Sequence, residues 1–522
     1  MKTFFEPVQG MAGIEEIKKS FSRLGHAVMV SGCIDTQKAH LLEALGEQYP
    51  IRVVITSDEV KARQLREDCL FFDKSSIYYP AKDYKIIQAQ KHISEDSISN
   101  GKTDGIQPEN KNAAGLTVVT TIDGCADLLV PLEKYKNATI SFEKGQVLDL
   151  EALSKKLVQI GYERCAIVDG QGKFAVRGGI IDIFPYTEET PVRIELWDDE
   201  VDSIRLFDVE SQRSIEKIER FEAFPATECL LSEEEIARGR EKLQEELAGQ
   251  LTAFGNDKKK KTAEDIEKCN RIRRNVADME RTGDYSKALR MFAEELTGFL
   301  SYFPREDTLF VLDEPNRLNE RMELILYEYT ESMKNRLEGG YILPGQTDMI
   351  HGIESIYAGL EKKRTLLLSA LDYKPEKFAV AEYVRIDTRS ISPYHNSFEY
   401  LADDLKKYKR SGYKSILVCN SRTRAARIVQ DLADLGLTAY FSEDFENEML
   451  EGTIMVTYGS LHKGFEYPLL QFVVIAENDI FASRQKKREK KKKYDGKSIA
   501  GFNELNIGDF VVHESHGLGV YK

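Results

Sequence analysis

A phosphate-loop position with half of its chemistry removed constrains this chain more than any other feature. Residues 28–42, VMVSGCIDTQKAHLL, run from an apolar strand into a helix, where a Walker A loop of the form G-x-x-x-x-G-K-[ST] would sit. Gly32 and Lys38 keep the required spacing. Gln37 stands in place of the second glycine, and Ala39 in place of the hydroxyl that would ligate magnesium. A side chain at Gln37 hinders a loop that must curl around a phosphate. The Ala39 methyl cannot bind a metal ion. The sequence therefore reads as an ATPase scaffold without its ATPase, whose function lies in what the scaffold binds.

A second pair of vestiges agrees. Residues 308–315, TLFVLDEP, end a buried-strand pattern in Asp313-Glu314, the place of a Walker B pair. The stretch 457–466, TYGSLHKGFE, resembles the loop that helicase C-terminal lobes place near ATP or nucleic acid. No Q-x-x-G-R follows residues 473–479, so nothing would stabilise charge on a transferring phosphate. No catalytic residues are expected. Asp313 and Glu314 are either remnants or helix-capping charges.

The chain's 522 residues allow roughly three to five domains. The first 140 or so alternate strand and helix, with strands at 27–31, 51–55 and 116–121, the pattern of a parallel sheet. Residues 94–115 are polar and read as a loop. From about 138 to 228 the pattern changes. Residues 191–197 and 201–207 alternate with period two around Asp198-Asp199-Glu200, a hairpin in a small α+β domain set inside the α/β one. Ser232 and Glu235 form a capping box that opens a charged helical stretch to about Arg281, interrupted by a lysine run at 258–261. A second α/β unit is expected from near Gly352. It includes a helix with Ala426, Ile428, Val429, Leu432 and Leu435 on one face and Gly436 as its cap. A basic run at 484–493 reads as a linker or a local nucleic-acid contact. The strand opening at Gly508 stops so soon that a longer protein is expected.

Composition narrows the partners. At a net charge of −14, the chain cannot wrap duplex DNA with its whole surface, and any nucleic-acid contact must be local. Acidity suits either solubility or docking onto basic patches of other proteins. No apolar run spans a membrane, the N-terminus lacks a secretory signal, and seven scattered cysteines fit a reducing, cytoplasmic setting. No metal site is expected. His513 and His516 have H-x-x-H spacing without a third ligand.

The densest local signal is FAVRGGIIDIFP at 174–185. Read as one alternating strand, it puts Arg177, Gly179, Ile181 and Ile183 on one face and Gly178, Ile180, Asp182 and Phe184 on the other. Arg177 and Phe184 are the residue types of an interface hot spot. An intradomain Arg–Asp pair with Phe184 in the core is the equal alternative. Together with PVRIEL at 191–196 and FDVESQRS at 207–214, this segment resembles the UvrB homology module. That module is shared by the excision-repair helicase UvrB and the bacterial transcription-repair coupling factors of the Mfd family. The broken phosphate loop, LDEPNRL at 312–318 and GDFVVHESHGLG at 508–519 favour the second. The last of these is similar to the start of that family's RNA-polymerase-interacting domain.

The resemblance implies two UvrB-like, RecA-like parallel-sheet domains with a small inserted α+β domain and the start of a small β-domain. The implied boundaries are 1–138, 139–228 (inserted), 229–350, 351–482, a linker at 483–500 and a truncated domain at 501–522. It implies UvrA docking on the inserted domain through Arg164, Arg177 and Phe184, with Asp182 in support. Gly32, Lys38, Asp313 and Glu314 would be a vestigial nucleotide site. RNA polymerase and DNA would be partners of the whole protein, whose ATP- and magnesium-dependent translocase lies outside this chain; no cofactor is expected here. The competing reading is a UvrB-type, ATP-dependent DNA helicase with a divergent loop.

Overall fold

The computed structural model describes residues 1–21, 25–46, 48–73, 75–81, 115–255 and 262–481, and two short strands within 510–520. The lysine run at 258–261, the basic run at 484–493, nearly all of the polar stretch at 94–115, and His516 lie outside the described residues.

The protein is a mixed α/β structure built around a seven-stranded parallel sheet. Its order is Glu382–Arg385, Ala27–Ser31, Arg364–Ser369, Thr308–Asp313, Ile51–Thr56, Leu116–Thr121, Ser76–Tyr79. Central strands are buried almost throughout, as β-branched and leucine-rich runs covered on both faces require. The sheet thus collects strands from two distant stretches of chain, 27–121 and 308–385. Between them lies a six-stranded sheet, Ser214–Ile218, Glu200–Phe207, Val192–Trp197, Ile180–Phe184, Lys173–Arg177, Glu163–Arg164, antiparallel except at its last pair. A helical hairpin, Glu233–Gly255 and Ala263–Thr282, follows it. Ser232 and Glu235 cap the first of these helices reciprocally.

The C-terminal sheet has the order Arg389–Ser390, Phe465–Tyr467, Phe472–Ala476, Lys414–Cys419, Ile454–Tyr458, Tyr440–Phe441. It shares one continuous apolar core with the seven-stranded sheet. Helix Asp35–Ala44, which follows the phosphate loop, lies inside that core, buried from Thr36 through Glu43. A helix covered on every side carries no polar stripe, which is why this one has no amphipathic signature.

Three expectations are corrected. The second α/β unit does not begin near Gly352. Helix Ile353–Leu360 and strands Arg364–Ser369 and Glu382–Arg385 complete the first sheet, and the second starts with Arg389. In helix Arg422–Asp434 the buried stripe is Ala425, Ile428 and Leu432, while Ala426 and Leu435 face solvent. The 174–185 segment is a hairpin rather than one strand. Gly178, at φ +61°, turns the chain, and Arg177 pairs opposite Ile180. Arg177 and Asp182 therefore share a face that single-strand alternation would have divided.

Candidate functional site: a closed phosphate loop and an inserted docking domain

At the phosphate loop, Gly32 holds φ +83°, and a Cβ there would lie 2.0 Å from the Ile386 carbonyl oxygen. Close approach of the chain's own backbone thus demands this glycine. Lys38 Nζ donates to Asp313 Oδ1 at 2.5 Å and to Glu314 Oε1 at 2.9 Å. Burial pulls the Lys38 ammonium down, but the two carboxylates outweigh it and hold its pKa above the ordinary lysine range. Burial alone would raise the Glu314 carboxyl; Lys38 reverses this and leaves it below the ordinary range. Glu314 also accepts from the Ala370 N–H and the Ser369 hydroxyl. It sits at φ +54° as the residue preceding helix Pro315–Glu338. The structure thus brings Gly32, Lys38, Asp313 and Glu314 together, with the cation already neutralised.

The residues beside the lysine are committed elsewhere. The Gln37 amide donates to the Tyr467 hydroxyl at 2.9 Å, and its oxygen accepts from the Ile34 N–H. His40 Nε2 lies 2.9 Å from the Phe4 carbonyl, so it carries the proton, and Nδ1 accepts from Tyr467 at 3.0 Å. Burial pushes the His40 pKa down to about 4, so the ring is neutral. The helicase-like loop closes over the start of the helix. Thr36 donates to Asp68, the His462 N–H donates to the same carboxylate, and Lys463 pairs with Asp35 at 3.0 Å. These residues do not fit a nucleotide and magnesium. The lysine is paired, the hydroxyl ligand is a buried methyl, and the second glycine position carries a side chain tied to the facing domain. Sequence reasoning missed Tyr467, His40 and Asp68, since nothing local shows which side chains meet across 30 to 430 residues.

In the inserted domain, Asp182 is fully buried and takes charge-assisted hydrogen bonds from two arginines. Arg193 Nε and Nη2 bind it in a fork at 2.7 and 2.9 Å, and Arg177 Nη2 reaches the same carboxylate. Arg193 also stacks over the Phe207 ring at 4.4 Å and donates to Gln212. Phe184 is only 7% exposed and packs with Val168, Ala175 and Phe207. Two of the four expected contact residues are therefore internal. Phe184 packs within the domain with a small part of its ring exposed, and Asp182 holds Arg177 by an ion pair. The Arg177 side chain is 43% exposed, and Arg164 is exposed on the edge strand. Register aligns Arg164 with Phe174, three residues from Arg177, or about 10 Å along the strand. Arg193 was missed. Its place opposite Asp182 follows from cross-strand register.

Among the described residues, no cluster of three or more potential ligands could hold a metal ion, and no helix is long and apolar enough to cross a membrane. No disulfide joins any of the seven cysteines.

The UvrB interaction domain family matches residues 140–229. A transcription-repair-coupling factor of Bacillus subtilis is 31% identical over 90% of this chain and 39% of its own length. A protein of the same name from Staphylococcus haemolyticus is 29% identical over 95% of this chain and 42% of its own length. The chain spans about two-fifths of the length of these curated relatives.

Proposed function

From a chain that carries a UvrB interaction domain and is homologous over nine-tenths of its length to transcription-repair-coupling factors, we propose that this protein is a non-catalytic docking scaffold. Its inserted domain recruits UvrA to RNA polymerase stalled at DNA damage. The observation that carries this reading is the Arg177–Asp182–Arg193 platform. One arginine is locked by a buried carboxylate and an aromatic ring, and the other is aimed by the same carboxylate but left half in solvent. A guanidinium fixed in this way recognises a partner carboxylate at little entropic cost. The closed phosphate loop supports the second half of the reading, that the scaffold takes no nucleotide. Contacts with RNA polymerase and DNA, and the ATP-driven translocation of the whole protein, belong to the same proposal and rest on the homology. A cytoplasmic location suits such a partner set.

Titrating UvrA onto the chain tests the recruitment. Arg177→Ala is expected to weaken binding by about 10-fold or more, or about 1.4 kcal/mol. Its fold should persist, because the buried Asp182 carboxylate keeps its forked pair with Arg193. A folded wild-type chain that does not bind UvrA would overturn the reading in favour of the helicase alternative.

A further inference from the structure

One end of the inserted sheet carries Trp197, the only tryptophan in the chain, with 81% of its surface in solvent. It ends strand Val192–Trp197, at the tip of the hairpin formed with Glu200–Phe207. The tip is fastened on both sides. Leu148 N–H donates to Asp199 O, Val201 N–H to Gln146 O, and Gly145 N–H to Val201 O, each at 2.8 Å. Val147, itself 66% exposed, bridges to Glu200, the residue paired with Trp197 across the hairpin. Leu196, the residue before the tryptophan, donates its N–H to Gly179 O at 2.8 Å. Gly179 belongs to the turn that follows Arg177. Trp197 and Arg177 thus project from the same end of one sheet on hydrogen-bonded backbone.

A large aromatic ring held in water on a rigid tip has no role in this domain's core. Burying such a ring removes on the order of 200 Å² from solvent, and rigid presentation avoids an ordering cost at the moment of binding. Tryptophan and arginine are also the residue types over-represented where binding energy concentrates. We propose that Trp197 is the apolar anchor of the docking surface whose charged anchor is Arg177. The partner would present an apolar cleft beside a carboxylate, with basic residues at its rim facing Asp198, Asp199 and Glu200. That acidic tip disfavours a nucleic-acid backbone and selects a protein. The proposal rests on the UvrA-docking reading and extends it.

Because the chain has one tryptophan, 5-fluorotryptophan labelling gives a single ¹⁹F resonance, and unlabelled UvrA contributes none. Adding UvrA should shift or broaden that resonance, and Arg177→Ala should suppress the effect. Trp197→Ala should weaken UvrA binding at least ~10-fold with unchanged thermal unfolding. The double variant should lose less than the sum of the two singles, as neighbours at one contact do. Leu469→Ala, equally exposed on the C-terminal unit, should bind like wild type. Wild-type affinity in Trp197→Ala alongside a loss in Arg177→Ala would overturn the anchor and leave the docking reading standing. A wild-type chain that binds no UvrA would overturn both.

Discussion

Replacing Lys38 with methionine is expected to destabilise the protein by about 3–5 kcal/mol, the cost of stripping one partner from a buried ion pair. In a working nucleotide loop the same change abolishes ligand binding and leaves the fold largely intact. Here the ammonium is the counter-ion of two carboxylates in a nearly dry site, so the damage falls on folding. Chemical denaturation followed by circular dichroism reads it. The pH dependence gives the test a sign. In the wild type the folded-state pKa of Glu314 is depressed, so its contribution is present above the ordinary glutamate value near 4.5 and is lost as pH falls through the folded value. In Lys38→Met the part-buried Glu314 carboxylate loses the cation that offsets its burial, so the penalty is greatest at neutral pH and fades in acid. The two stability curves should converge as the pH falls below the ordinary carboxylate range. Replacing Asp313 and Glu314 by Asn and Gln in the Lys38→Met background should recover part of the loss, since no charge is then left unpaired. A Lys38→Met chain as stable as wild type at pH 7 would contradict the closed loop.

Asp182→Ala is expected to cost a similar amount, about 3–5 kcal/mol, because it leaves the mostly buried Arg193 guanidinium without its carboxylate. The loss should be confined to the inserted sheet. Hydrogen exchange should accelerate across residues 173–218 while the seven-stranded sheet keeps its protection. UvrA affinity should fall as well, although Asp182 is wholly buried, because Arg177 loses the group that aims it. Asp182→Asn keeps the shape and one acceptor, so it should recover most of the stability while binding stays impaired. That separation distinguishes a positioning residue from a purely structural one. Unchanged exchange in Asp182→Ala would show that the platform is not held as described.

The local chemistry of both sites was legible in the sequence, but their geometry was not. The spacing of Gly32 and Lys38, and the substitutions at Gln37 and Ala39, pointed to a phosphate loop short of a glycine and a metal-binding hydroxyl. What fills the place of the ligand comes from Asp313, Glu314 and Tyr467, whose approach depends on sheet order and on the facing domain. Asp313-Glu314 at a strand end was readable because a buried strand stops abruptly in two charges. The strand Arg364–Ser369 was passed over, and the domain boundary set too early, because a central strand of a parallel sheet gives no alternation to separate it from its crossover helix. That Arg177 shares a face with Asp182 and Phe184 depends on the hairpin at Gly178. One turn decides which residues share a face, and a period-two reading carried through it assigns the wrong ones. In helix Arg422–Asp434 the expected stripe contained the buried Ile428 and Leu432 and erred only at its ends, with Ala426 for Ala425 and the exposed Leu435.

In the docking-scaffold reading, the chain's own side chains occupy the nucleotide position and the scaffold works through docking alone. Calorimetric titration of Mg-ATP into the wild-type chain tests it most directly. No saturable heat is expected at millimolar nucleotide. Saturable binding at one site per chain, lost on Lys38→Ala in a variant verified to be folded, would contradict it.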